Sequence, residues 1–186
     1  MTRVILGVSG ASGAALARHC AEILGAAGLE VDLVVSPAAE RTFELELGPD
    51  ALRDLQARVD RVHDIRNLGA TIASGSFPVV GMIVAPCSMR SLAAMSIGLD
   101  DNLLTRAASV QLKERRKLVL LTREAPLSLA HLRAMTAVTE MGGVIMPPVP
   151  AFYLKPASVE DLTRQIAARA VDALGIVPPQ GEAWRG

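Results

Sequence analysis

Short runs of β-branched and aliphatic residues alternate along the chain with longer stretches whose apolar residues recur every three or four positions. Val4 to Val8 is the first short run. Ser9-Gly10-Ala11-Ser12-Gly13 breaks it, and an Ala/Leu-rich helix follows to about Ala27, closed by Gly28. Val31 to Val35 predicts a second strand; Ser36 and Pro37 end it and open a helix, Ser36 as N-cap and Pro37 at the first position. Gly48 to Asn67 is polar and reads as helical or irregular. Val79 to Ala85 predicts a third strand, stopped by Pro86, after which Cys87-Ser88-Met89-Arg90-Ser91 leads into a helix. Another helix covers about Asn102 to Glu114, a fourth strand Lys117 to Leu121, and a helix from about Ser128 to Met141 ends at Gly142-Gly143. Val144 to Met146 predicts a fifth strand, Pro147, Pro148 and Pro150 stiffen the next loop, and Ser158 caps a last helix to about Leu174.

Regular strand–helix alternation predicts an α/β fold of three layers, a Rossmann-like doubly wound parallel sheet. There is no internal repeat and no long linker, so 1–176 reads as one domain and 177–186 as a poorly ordered tail. In such folds ligands sit beyond the carboxyl ends of the strands, which directs attention to the loops after residues 8, 35, 85, 121 and 146.

Composition adds an expectation about assembly. Hydrophobic residues make up 51% of the 186 positions but aromatics only 3%, so the apolar content is mostly Ala, Val, Leu and Ile. That suits a parallel sheet under close-packed helices, and it exceeds what one small domain hides, which predicts an oligomer. The formal net charge of zero excludes the basic excess of a nucleic-acid binder. No apolar run approaches the roughly 20 residues that span a bilayer. The amino terminus reads as a strand rather than a signal peptide. Cys20 and Cys87 form no CxxC, and His19, His63 and His131 have no metal-ligand spacing. A cytoplasmic, disulfide-free and metal-free protein is the expectation.

Candidate chemistry gathers at the strand ends. The Gly7–Gly13 loop lies between a strand and a helix, where backbone N–H groups and the helix dipole favour a phosphate. It is neither a G-x-G-x-x-G fingerprint nor a P-loop, so it fits a mononucleotide better than a dinucleotide or ATP. The plainer reading is a tight turn with Ser12 as N-cap. Ser36, Ser88 and Ser91 add hydroxyls at further strand exits, as caps or as a polar ligand lining. Cys87 fits packing better than nucleophilic chemistry. Thr122-Arg123-Glu124-Ala125-Pro126 puts an Arg and a Glu after an apolar strand, where burial is expected. They form either a mutual ion pair or an anion contact beside a proton-exchanging acid. Arg106 and Lys113 share a helix face, Arg115 and Arg116 point elsewhere, and Arg169 shares a stripe with Leu162, Ile166 and Ala173. Arg169 is either a snorkelling side chain or, with Tyr153, part of a second anion site.

Five motifs in order resemble the flavin prenyltransferases of the UbiX type: Gly7-x-Ser9-Gly10-Ala11-Ser12-Gly13, Pro86-Cys87-Ser88, Leu112-Lys113-Glu114-Arg115-Arg116, Arg123-Glu124-Ala125-Pro126 and Pro150-Ala151-Phe152-Tyr153. The resemblance runs from residue 3 to about residue 176. It implies a flavodoxin-like homododecamer that binds reduced FMN and transfers a dimethylallyl group from dimethylallyl monophosphate to flavin N5, then closes a fourth ring at C6. It also implies a metal-free reaction and a product used by UbiD-type decarboxylases, including those of ubiquinone biosynthesis. By position, Gly10, Ala11, Ser12, Ser36, Ser88, Met89, Arg90, Ser91 and Arg123 are implied to contact FMN. Arg106, Lys113, Tyr153 and Arg169, with Ser74, are implied to hold the prenyl phosphate. Glu124 is the implied proton-transfer acid, and Ser12 a hydroxyl near N5. Lys117 and Leu154 depart from the family's usual Pro and His. The competing expectations are an FMN-dependent cysteine decarboxylase, whose Pro-Ala-Ser-Ala-Asn-Thr-type stretch is missing, and a non-catalytic flavin carrier or decarboxylase accessory subunit.

Overall fold

The strands are β1 (Arg3–Val8), β2 (Glu30–Val35), β3 (Arg61–His63), β4 (Gly81–Cys87), β5 (Lys117–Thr122) and β6 (Val144–Ile145). The helices are α1 (Ala14–Ala26), α2 (Pro37–Leu47), α3 (Ala51–Gln56), α4 (Met89–Ser96), α5 (Leu103–Lys113), α6 (Leu129–Glu140) and α7 (Val159–Leu174). These come from a computed structural model describing residues 2–184; Met1, which the sequence reading joined to the first strand, and Arg185 and Gly186 of the tail lie outside it.

Alternation within the strands separates two cores. Val4, Leu6, Val8, Leu33 and Ile83 pack against α1 and α7, with Phe43 of α2 and Leu55 of α3 beside them. Ile5, Val34, Met82, Val84, Leu118 and Leu120 pack on the other side against α4, α5 and Val138 of α6. A sheet buried on both faces accepts continuous apolar strands, as β1 and β4 have. All pairings are parallel, in the order β3-β2-β1-β4-β5-β6. Without the three-residue edge strand β3 this is the flavodoxin-like order 2-1-3-4-5.

The expected elements all form, with three differences. β3 falls in the stretch read as helical or irregular. Two of its three residues are exposed, so it carries no apolar pattern; pairing to β2 and a 2.6 Å contact from His63 Nε2 to Asp32 Oδ1 hold it. β4 does not stop at Pro86 but runs to Cys87, with its pairing to β5 shifted between Val84 and Cys87. Proline brings no N–H to a ladder, and the irregularity falls where that donor is missing. After α7, residues 177–184 form no regular element, yet the Gln180 and Gly181 N–H groups donate to the Asp172 carboxylate at 2.6 and 3.1 Å.

Candidate active site

The strand order reverses between β1 and β4, and the loops leaving these two strands are tied together. Ser9 is buried; its hydroxyl donates to the Pro86 carbonyl at 3.1 Å and accepts the Ser88 N–H at 2.7 Å. Beside this tie lies a cavity of about 610 Å³, within the size range of small-molecule sites. Gly10, Ser36, Ser88, Arg90 and Ser91, all expected at the flavin, line it. Ala11, Ser12 and Arg123, in the adjoining loops, and Met89, the first residue of α4, lie outside the lining. Gly10 is required by packing: a Cβ there would stand 2.3 Å from Ala38 Cβ at the start of α2.

Three helices point their amino termini at this cavity. Ser36 caps α2 by accepting the Ala39 N–H, Ser88 caps α4 by accepting the Ser91 N–H, and Asn102 caps α5 by accepting the Thr105 N–H. The caps read from sequence at Ser36 and Ser88 are therefore present, and both residues also line the cavity. Ser91 is no cap; its hydroxyl accepts from Ser88 Oγ at 3.2 Å. Converging positive helix ends, with Arg66 and Arg90 on the rim, suit an anionic ligand such as a nucleotide phosphate. Arg90 pairs with Asp101.

The amino terminus of α1 is arranged differently from the expectation. Its N-cap is Gly13, in the left-handed region at φ 116°, not Ser12. The Glu46 carboxylate of α2 takes the Gly13 and Ala14 N–H groups at 2.9 and 2.8 Å. These donors are thus committed to a protein carboxylate rather than open to a phosphate. Burial by itself raises the Glu46 pKa, but hydrogen bonds from the Ser12 hydroxyl and the Ala14 and Gly13 N–H groups, with the nearby Arg123 charge, outweigh it and hold the carboxyl below its ordinary range. Ser12, Arg123 and Glu46 therefore form one polar cluster.

Arg123 and Glu124 are both exposed, contrary to the expected burial. The apolar run ends with buried Thr122, and the chain then turns outward through Ala125-Pro126. No Arg123–Glu124 ion pair occurs among the described residues; the Glu124 carboxylate accepts its neighbour's Ala125 N–H at 3.1 Å. Cys87 is fully buried, which pushes its thiol up to about 12, and it acts as packing.

The expected prenyl-phosphate residues fall into two groups. Arg106 donates to the Ala73 carbonyl at 3.2 Å and pairs with Asp100 at 3.0 Å; Ser74 bonds Ser76, and Lys113 pairs with Glu114 near Gly75. These belong to the α5 face of the sheet. Tyr153 and Arg169 share a separate cavity of about 220 Å³ on the α7 side, together with Glu182 of the tail. Trp184 meets Tyr153 edge to face, with ring centroids 4.9 Å apart. Arg169 leaves the apolar stripe assigned to it and is 71% exposed, because the buried face of α7 runs through Ile166, Ala167, Ala170, Val171 and Leu174. Sheet and helices separate the two groups, so one chain does not bring them together.

Several site residues escape a reading directed at strand exits. Asp101 and Asn102 reach the cavity from a helix–helix junction, and Ile65 and Arg66 from the exit of β3, a strand with no apolar pattern; Glu46, near the end of α2, lies beside the cavity at Gly13. Only Asn102 has a local signal, as an N-cap ahead of an apolar helix.

The chain matches the Flavoprotein family model over residues 1–170. It is 51% identical to the flavin prenyltransferase UbiX of Neisseria meningitidis serogroup B, over 99% of this chain and 97% of that protein. AnUbiX (PadA1), solved with FMN and dimethylallyl pyrophosphate, superposes with a TM-score of 0.95 and 44% identity, covering 100% of this chain and 98% of that one. A dodecameric FMN-dependent UbiX-like decarboxylase from Escherichia coli O157:H7 gives 0.94 and 44%, covering both chains fully. The cysteine decarboxylase TvaF shares the fold alone, at 16% identity and a TM-score of 0.67 over 94% of this chain and 99% of that one.

Proposed function

Because this chain belongs to the flavin prenyltransferases of the UbiX type, an enzyme family that prenylates FMN, we propose that it transfers a dimethylallyl group from dimethylallyl monophosphate to N5 of reduced FMN and closes a ring at C6. The observation that carries this reading is the cavity at the β1–β4 switch point, which combines three helix amino termini with a Ser12–Arg123–Glu46 cluster beside it. The residues present fit FMN: an apolar floor including Leu104 and Ile65, hydroxyls at Ser36, Ser88 and Ser91, and cations at the rim. Bound reduced FMN supplies the nucleophilic nitrogen.

In this reading Gly10, Ser36, Ser88, Arg90 and Ser91 hold the flavin, with Ala11, Met89 and Arg123 completing its surroundings. Ser12, held by Glu46, presents a hydroxyl toward N5. Arg106, Lys113 and Arg169 neutralise the phosphate, and Ser74 and Tyr153 donate hydrogen bonds to it, as the allylic C–O bond breaks and its electron pair leaves with oxygen, the task a metal ion performs elsewhere. Glu124 accepts a proton during ring closure, and its exposure in the single chain leaves it available to a shared site. Since the phosphate set lies on two faces, the site is complete only where subunits meet; a dodecamer, as in the Escherichia coli relative, provides such junctions. The product is destined for a UbiD-type decarboxylase. Among the described residues no helix is long and apolar enough to cross a membrane, in keeping with the proposed cytoplasmic setting.

Anaerobic incubation with dithionite-reduced FMN and dimethylallyl monophosphate tests this directly. The flavin mass increases by one isoprenyl unit; an unshifted mass rejects prenyl transfer and returns the cysteine-decarboxylase or carrier reading.

A further inference from the structure

The cavity lining and the polar cluster beside it differ in charge. Beside Gly13 lies the Glu46 carboxylate, which repels a dianion. The lining itself carries Arg66 and Arg90 together with the capped amino termini of α2, α4 and α5. That lining suits a phosphate near the two arginines, with an uncharged ring system nearer Ser12 and Glu46. Arg90 already belongs to the expected flavin set. Arg66 does not: it reaches the cavity from the loop after β3.

Arg66 is held ready rather than committed. Its Nε and Nη2 contact the two Asp64 carboxylate oxygens at 3.3 and 3.2 Å, within its own loop, and its side chain is 87% exposed. An exposed pair of this kind is weak and exchanges readily for a ligand, whereas a guanidinium forms two parallel bonds to a phosphate. The Asp64 carboxylate also accepts the Arg66 N–H at 2.9 Å, which fixes the backbone from which the side chain extends. We propose that Arg66 is a specificity-determining residue that makes this site select a phosphorylated flavin over riboflavin, by pairing with the phosphate.

This inference rests on the FMN reading, and the test separates the two. Flavin-free full-length protein, wild type and Arg66→Ala, is titrated with FMN and with riboflavin, following quenching of flavin fluorescence. Riboflavin carries the same ring and ribityl chain without the phosphate, so collapse of the cavity lowers both affinities together and leaves their ratio unchanged. Loss of one charge-assisted contact lowers the FMN-to-riboflavin affinity ratio by about tenfold. A fall of at least about fivefold supports the assignment, and any smaller change overturns it. Wild-type protein that shows no preference for FMN removes the FMN reading itself; a wild-type preference that survives in Arg66→Ala removes only the role of Arg66.

Discussion

Glu46 shows how a single carboxylate reorganises a loop that the sequence presents as a phosphate cradle. It occupies the donors of Gly13 and Ala14 and gathers Ser12 and Arg123 around itself. Because its folded pKa lies below the ordinary 4.5, the stability it contributes is fully present above that value and is lost as pH falls through the lower folded one. Glu46→Gln is expected to lower stability by roughly 0.5 kcal/mol at pH 7, the scale of a charge at an exposed helix end. Urea melts of both proteins should converge as the medium is made acid; a gap that persists there contradicts this role. Ser9 is a second residue without an obvious local signal, since nothing in Gly7-Val8-Ser9-Gly10 reveals that its hydroxyl will join two loops 77 residues apart.

At the scale of elements, local chemistry and periodicity account for most of what forms. Ser36, Ser88, Asn102, Ser128 and Ser158 each cap the helix that follows. The apolar runs become strands because both sheet faces are covered. β3 was not legible, because an edge strand held by pairing and by the His63–Asp32 contact leaves no periodic trace. The strand-exit rule points to Gly10, Ser36, Ser88 and Ser91 of the lining and the resemblance adds Arg90; residues from the α4–α5 junction lie outside that rule, and the β3 exit is missed because β3 itself is not legible. Ser36 and Ser88, for which cap and ligand lining are posed as alternatives, are caps that also line the cavity, where a helix amino terminus meets it. Ser88→Ala therefore should cost about 1 kcal/mol in urea-induced unfolding and weaken FMN binding as well. Loss of stability with unchanged FMN affinity would leave the residue a cap alone.

For the whole molecule, the decisive fact is the position of the charged side chains relative to the sheet. α5 runs away from the cavity, from Asn102 on its rim to Lys113 about 16 Å further along the axis, beside the loop that precedes β4. Arg169 lies on α7, across the sheet. The sequence indicated both cationic groups but not their separation, which depends on which face each helix covers. Exposed apolar residues such as Leu129 at 61%, Val149 at 69% and Phe152 at 75% indicate surfaces suited to burial by other subunits. If subunits complete the site, Lys113→Ala and Arg169→Ala are each inactive alone, yet each carries the group the other lacks. Subunit exchange between the two variants, followed by assay of flavin prenylation, is the most direct test. Recovery of activity in the mixed oligomer is the predicted result; a mixture as inactive as its parents would contradict a site shared between chains.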